Sequence, residues 1–145
     1  MSMRLIAACI LGSLIMGCEV RPEELHYGVD ACHTCKMTLM DTKYGAEIVT
    51  EKGKVYKFDD INCMIDFYNS GSEPIDKMAY KLVINFTQPE KLIEAQDAFY
   101  VKSNQIRSPM ASGIAAFETK AEMDAHKKEW KGIWLSWGEL VTEFK

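Results

Sequence analysis

One order of patterns constrains the fold of this chain most: two neighbouring stretches of alternating apolar and polar residues, followed by a stretch with helical spacing. Residues 44–50 and 54–58 alternate as paired strands do, and Glu51-Lys52-Gly53 between them is typical of a hairpin turn. Apolar residues then recur with helical spacing from Ile61 to about Asn69, and residues 79–86 return to a strand pattern. This order predicts a ββαβ unit.

The second half of the chain repeats this order. Phe58-Asp59 and Phe117-Glu118 occupy matching places, because each closes a strand just before a helix. We therefore predict an α+β fold in which two small ββαβ units pack together and carry mainly antiparallel sheets. The predicted elements of the second half are strands over residues 98–101 and 114–117, a helix over 120–131 and a last strand over 133–144.

The start of the chain is typical of an export signal. Arg4 precedes an apolar run from Leu5 to Met16, which is too short to span a bilayer but suits a signal peptide. Ile15-Met16-Gly17-Cys18 resembles a bacterial lipobox, in which Cys18 is lipidated; an ordinary signal peptide or an uncleaved anchor is the alternative. The predicted location is the bacterial cell envelope, lipid-anchored and facing the periplasm. The predicted segments are a lipoprotein signal peptide over 1–17, a flexible membrane tether over 18–30, and a folded domain over 31–145 with halves at about 31–90 and 97–145.

Three cysteines remain for chemistry in the exported chain. Cys9 lies in the leader and Cys18 would carry lipid, which leaves Cys32, Cys35 and Cys63 of the five. Exported proteins meet an oxidising environment, yet an odd number of thiols cannot all pair within one chain. At least one thiol therefore stays free or takes part in chemistry.

The stretch from Cys32 to Met37, Cys-His-Thr-Cys-Lys-Met, holds two thiols, an imidazole and a thioether. Sulfur ligands favour a soft ion such as Cu(I), and in an extended segment Cys35 and Met37 face the same side. A Cys-x-x-Cys pair is also compatible with a structural disulfide, a thiol–disulfide exchange site, or a zinc site that Cys63 completes if the helix start folds back. Met37 favours copper, because a thioether does not serve exchange and is a poor zinc ligand.

A second methionine lies in the loop Ser-Pro-Met-Ala-Ser-Gly, where Pro109 restricts the backbone and small neighbours expose the Met110 thioether. Packing in the core is the alternative for both methionines. His33 lies between the two cysteines of the motif and is a possible ligand. The alternative is an exposed loop histidine without a ligand role. The candidate metal ligands are Cys35, Met37 and Met110, to which Cys32 and His33 are added as further candidates.

Charge and residue patterns argue against several other functions. The net charge is -4 and no stretch is rich in lysine and arginine, so nucleic acid is not an expected partner. No Ser/His/Asp arrangement, phosphate-binding glycine loop or catalytic carboxylate pair stands out, and Asp59-Asp60 is interpreted as a helix N-cap. The sequence therefore does not predict an enzyme.

Together these motifs resemble the NosL family, copper-binding lipoproteins accessory to nitrous oxide reductase. The resemblance rests on the lipobox, Cys-x-x-Cys-x-Met, Phe-Asp-Asp before a helix, and the stretch Ser-Pro-Met-Ala-Ser-Gly-Ile-Ala-Ala-Phe. It implies two ββαβ units and a periplasmic, membrane-anchored chaperone that delivers Cu(I) for the copper centres of the reductase through a membrane maturation complex. It also implies Cys35 and Met37 as ligands and supports Met110. Lys36 stands where the family frequently has glycine. Cys63-Met64 is not among the family's motifs, so a role there, as a buried thiol or an auxiliary ligand, would be particular to this chain.

Two other functions stay open from the sequence. A thiol–disulfide oxidoreductase would use the Cys32/Cys35 pair, although such pairs usually begin a helix and this one precedes a strand. A metal-free lipoprotein with a structural disulfide is the other.

Overall fold

The computed structural model describes residues 19–143, so the predicted signal peptide and the predicted lipid site Cys18 lie outside the described residues. It contains a four-stranded and a three-stranded antiparallel sheet with three α-helices. The predicted α+β fold of two ββαβ units is confirmed. Between residues 19 and 143, no helix is long and apolar enough to cross a membrane.

The first sheet has the strand order β2-β1-β3-β4, with antiparallel neighbours throughout. The helix α1 packs on it with Ile61, Met64 and Ile65 buried, as their helical spacing predicts. The sequence pattern did not predict β4, which is only three residues long. The elements of this half are β1 (Ala46–Thr50), β2 (Val55–Phe58), α1 (Ile61–Asn69), a 3-10 turn (Ile75–Lys77), β3 (Met78–Ile84) and β4 (Leu92–Glu94).

The second sheet has the order β6-β5-β7. The prediction of a last strand over residues 133–144 is wrong, because this strand ends at Leu135 and a third helix follows. Ser136 starts that helix: its hydroxyl accepts from the backbone N–H of Glu139, whose carboxylate accepts from the backbone N–H of Ser136. The elements are β5 (Phe99–Lys102), β6 (Ile114–Phe117), α2 (Lys120–Glu129), β7 (Ile133–Leu135) and α3 (Trp137–Glu143).

The two halves share one core. A parallel bridge joins Asn85 to Ala116 and links the sheets, and the backbone N–H of Phe86 donates to Ala116 at 2.8 Å. Tyr100 and Leu140 from the second half belong to the same buried cluster as the side chains of α1. This packing places the start of α1 beside the loop of residues 108–113 from the second half.

Part of the segment predicted as a flexible tether lies against the first sheet. The backbone N–H of Glu23 donates to Glu47 Oε1 at 3.0 Å, and Lys57 Nζ donates to the carbonyl oxygen of Glu24 at 2.9 Å. Leu25 is buried in the main core, close to Gly45, where a Cβ would come within 2.6 Å of it. From Glu23 onward the chain is therefore attached to the domain.

Candidate metal centre

A tight turn holds Cys32 and Cys35. The backbone N–H of Cys32 donates to the carbonyl oxygen of Met37 at 2.8 Å, and that of Lys36 donates to Cys32 at 3.0 Å. Lys36 closes the turn with φ of 66°, a left-handed conformation that favours glycine. These two hydrogen bonds join backbone groups within the turn, and they hold its local shape.

Two further hydrogen bonds attach this turn to the first half of the domain. The backbone N–H of His33 donates to the carbonyl oxygen of Lys57 on β2 at 2.8 Å. The hydroxyl of Thr34 donates to the carbonyl oxygen of Cys63 in the first turn of α1 at 2.8 Å. The helix start therefore folds back onto the Cys-x-x-Cys turn.

This arrangement assembles a cluster of three thiols and one carboxylate. The sulfurs of Cys32, Cys35 and Cys63 and a carboxylate oxygen of Asp59 all lie within 4.8 Å of one another. Cys32, Cys63 and Asp59 are buried, whereas Cys35 is half-buried and lies nearest to solvent. The three cysteines are free thiols. Four donor atoms from two separate segments, the Cys-x-x-Cys turn and the start of α1, thus lie close enough together to hold one metal ion.

The thiols differ in how readily they lose a proton. The pKa of Cys32 is lowered to about 6, mainly because the thiol of Cys63 donates a hydrogen bond to its sulfur, while burial opposes this effect. The same hydrogen bond, followed by burial, raises the pKa of Cys63. Burial raises the pKa of Cys35 to about 11, although the Met37 backbone N–H opposes it. Without a metal, Cys35 and Cys63 are protonated thiols. A cation bound among the sulfurs would stabilise their deprotonated, thiolate form.

The two predicted methionine ligands are both exposed. Met37 is 60% exposed and follows directly after the Cys35 turn. The Met110 side chain is 39% exposed, and its backbone N–H donates to Asp60 Oδ2 at 2.9 Å. Asp60 adjoins Asp59, so the loop of residues 108–113 is attached next to the cluster.

The imidazole of His33 lies apart from the cluster. Its ring packs edge-on against Tyr56 and Phe67, with centroid distances of 4.7 and 5.2 Å. Burial lowers its pKa, and the nearby positive charges of Lys36 and Lys54 add to this. The structure therefore brings Cys32 and Cys35 together, and it does not bring His33 to them.

The sequence reasoning missed Asp59 and left Cys63 open. Asp59-Asp60 was interpreted as a helix cap, yet the side chain of the N-cap residue Asp60 makes no capping hydrogen bond. Asp59 instead accepts a hydrogen bond from the Cys35 thiol at 3.4 Å. In the sequence, the spacing of Asp59 and Cys63 does not by itself predict a shared site. It does so only when the Cys-x-x-Cys turn is known to lie against the start of α1.

Three thiolates and one carboxylate can bind a metal ion in more than one way. Thiolate and thioether sulfur select soft ions such as Cu(I). A closed set of four ligands that includes cysteine and aspartate also suits Zn(II). Met37, two residues after Cys35, and Met110, whose loop is bonded to Asp60, offer two further thioether sulfurs.

Comparisons with known proteins give a family and a fold for this chain. The crystal structure of the copper chaperone NosL from Shewanella denitrificans matches with a TM-score of 0.72 and 18% sequence identity, covering 83% of this chain and 96% of that chain. At this identity the likeness shows the fold. No curated protein matches the chain. The model of the family NosL matches residues 26–144, and the chain therefore belongs to the NosL family.

Proposed function

We propose that this protein is a copper-binding chaperone, not an enzyme, which carries Cu(I) toward the copper centres of nitrous oxide reductase. The observation that carries the proposal is the cluster of Cys32, Cys35, Cys63 and Asp59, whose donor atoms lie within 4.8 Å of one another. Membership of the NosL family and the shared fold with a solved copper chaperone support it. The preference of thiolate and thioether for soft ions supports the Cu(I) state.

The proposed ligands fall into a buried and an exposed group. Cys32 and Cys63 form the buried group, and Cys35 lies nearer to the surface. Met37 and Met110 form the exposed group: Met37 follows Cys35 by two residues, and the Met110 backbone is bonded to Asp60, the neighbour of Asp59. Thioethers are neutral, weakly held ligands, so a partner can displace them and reach the ion without unfolding the domain. His33 stays the weakest of the predicted ligands, because its ring packs against aromatic side chains.

The proposed location is the bacterial envelope, with a lipid on Cys18 facing the periplasm. Support comes from the apolar leader that ends at Gly17-Cys18. Because the domain holds the chain from Glu23 onward, only a few residues would separate lipid from domain. The protein would then work close to the membrane. The proposed partners are nitrous oxide reductase and its membrane-associated maturation complex.

A competition titration with a colorimetric Cu(I) chelator tests the copper site. The full-length chain is expected to bind Cu(I), and Cys35→Ser and Met37→Ala are expected to weaken binding. Met40→Ala is the matched control, because Met40 is 71% exposed and follows Met37 by three residues. Wild-type affinity in both site variants would refute the ligand assignment.

The alternative of a thiol–disulfide oxidoreductase fits the geometry less well. A nucleophilic thiol of this class is both accessible and of low pKa. Here the thiol of lowered pKa, Cys32, is fully buried, and the pKa of the more accessible Cys35 is raised. An insulin reduction assay distinguishes the two functions. Turnover that depends on Cys32 and Cys35 but not on Met37 would favour the oxidoreductase.

A further inference from the structure

Asp60 is a buried carboxylate whose side chain does not cap the helix that it begins. It is fully buried, and as the N-cap residue of α1 it makes no side-chain capping bond. Its oxygens instead accept from the loop of residues 108–113. The Met110 backbone N–H donates to Oδ2 at 2.9 Å, and the Ser112 hydroxyl donates to Oδ1 at 2.6 Å. A buried carboxylate needs such donors, so these two bonds hold the loop against α1.

The loop itself is internally braced. The Ser108 and Ser112 hydroxyls lie 3.0 Å apart, and the backbone N–H of Gly113 donates to Ser108 Oγ at 3.2 Å. Gly113 has φ of 67°, and a Cβ there would lie 2.7 Å from the carbonyl oxygen of Ser103. A loop with this bracing keeps its shape. Its placement relative to the thiols then depends on the bonds to Asp60.

The start of α1 therefore contacts both parts of the proposed copper site, the thiol cluster and the Met110 loop. Asp59 accepts the hydrogen bond from the Cys35 thiol, and Cys63 contributes a third sulfur to the cluster. Asp60 lies between them in sequence and carries the loop that presents Met110. One helix start thus carries both thiol-cluster donors of the first half and the bonds that place the Met110 loop of the second half.

We infer that Asp60 is a positioning residue that holds the Met110 thioether where it completes Cu(I) coordination at the thiol cluster. Asp60 acts through its hydrogen bonds to the loop and not as a metal ligand, since its carboxylate oxygens bind the loop and are not among the clustered donor atoms. This inference rests on the proposed function and adds to it the residue that joins the two halves of the site.

The test uses the full-length chain with methionine carrying ¹³C in its methyl group. In the wild type, Cu(I) is expected to shift the Met110 methyl resonance. In Asp60→Ala this shift is expected to disappear and the Cu(I) affinity to fall about tenfold or more, the usual effect of losing a supporting hydrogen bond around a metal. Adding Met110→Ala to Asp60→Ala is expected to cause no further loss, since both changes remove the same interaction.

Asp60→Asn is the conservative variant. Its Oδ1 can still accept from the Met110 N–H, and its Nδ2 can donate to the Ser112 hydroxyl, which then turns its proton toward Ser108. We expect Asp60→Asn to retain the Met110 methyl shift and most of the affinity. A purely electrostatic role for Asp60 predicts the opposite, because the amide lacks the negative charge.

Two serine variants keep the test decisive if Asp60→Ala does not fold. Ser112→Ala removes one of the bonds to Asp60 and is expected to reduce the Met110 shift. Ser72→Ala is the matched control, because it removes an exposed serine hydroxyl outside the loop and leaves the bonds to Asp60 intact. A Met110 shift that persists in folded Asp60→Ala, or that is as large in Ser112→Ala as in the wild type, overturns the inference.

The remaining outcomes separate the inference from the proposed function. A wild-type chain that binds no Cu(I) at all refutes the proposed function. A wild-type chain that binds Cu(I) while the Met110 methyl resonance stays unmoved refutes the positioning role alone. Additive losses from Asp60→Ala and Met110→Ala also refute it.

Discussion

The Cys35 thiol donates a hydrogen bond to Asp59 Oδ1 at 3.4 Å, which joins the Cys-x-x-Cys turn to the start of α1. The bond favours the protonated thiol, and it adds to burial in raising the pKa of Cys35 to about 11. Burial, with a smaller contribution from this bond, therefore keeps the most accessible thiol of the cluster protonated near neutral pH when no metal is bound.

Asp59→Asn is expected to lower the pKa of Cys35, because the amide no longer favours the protonated thiol. Alkylation of Cys35 by iodoacetamide at pH 8, followed by peptide mass spectrometry, measures this, and each unit of lowered pKa raises the thiolate fraction about tenfold. Asp66→Asn is the control, because Asp66 is exposed on the same helix. Equal alkylation rates in Asp59→Asn and wild type would contradict the role of Asp59.

Lys36→Gly is expected to stabilise the domain by about 1 kcal/mol, because φ of 66° strains any residue with a Cβ. Urea unfolding measures the difference. Lys36→Ala is the matched variant: it loses the contact of Nζ with the carbonyl oxygen of His33 but keeps the strained Cβ. If Lys36→Gly and Lys36→Ala have the same stability, backbone strain at this position is not the cause.

Cys63→Ser is expected to reduce the number of sulfur ligands around Cu(I) by one, because Cys63 supplies the third thiol of the cluster. X-ray absorption spectroscopy of the copper-loaded chain measures the sulfur coordination. Met64→Leu, a volume-conserving change at the neighbouring buried residue, serves as the control. An unchanged sulfur count in Cys63→Ser would show that this thiol is only structural.

Glu47 is expected to make the domain less stable as the pH rises. Burial raises its pKa from 4.5 to about 7, and Oε2 has no hydrogen-bond partner among residues 19–143. The folded state therefore holds a proton that the unfolded state releases between about pH 4.5 and 7. By linkage the free energy of unfolding falls across this window, by about 3 kcal/mol at most.

Urea unfolding at pH 5 and pH 7.5 checks the role of Glu47. Glu47→Gln is expected to lose this part of the pH dependence while keeping the hydrogen bond from the Glu23 N–H. The same decline in Glu47→Gln as in wild type would assign the pH dependence to other groups.

The sequence located most elements because their signals are local. The alternation of Val55–Phe58 and the helical spacing from Ile61 to Asn69 each lie within one element. The strand Leu92–Glu94 was missed because three residues are too few to show a period, and only pairing with β3 defines it. The helix Trp137–Glu143 was missed because its apolar residues also fit a strand.

The sequence by itself determined the donor types, which are the thiols of the Cys-x-x-Cys stretch and the methionine thioethers, and it showed the resemblance to a known family. The tertiary structure alone decided which of them meet. Cys63 joins Cys32 because the Thr34 hydroxyl binds the first turn of α1, and Asp60 reaches the Met110 loop because the two halves share one core. Contacts between distant segments depend on packing, and no local period in the chain encodes them.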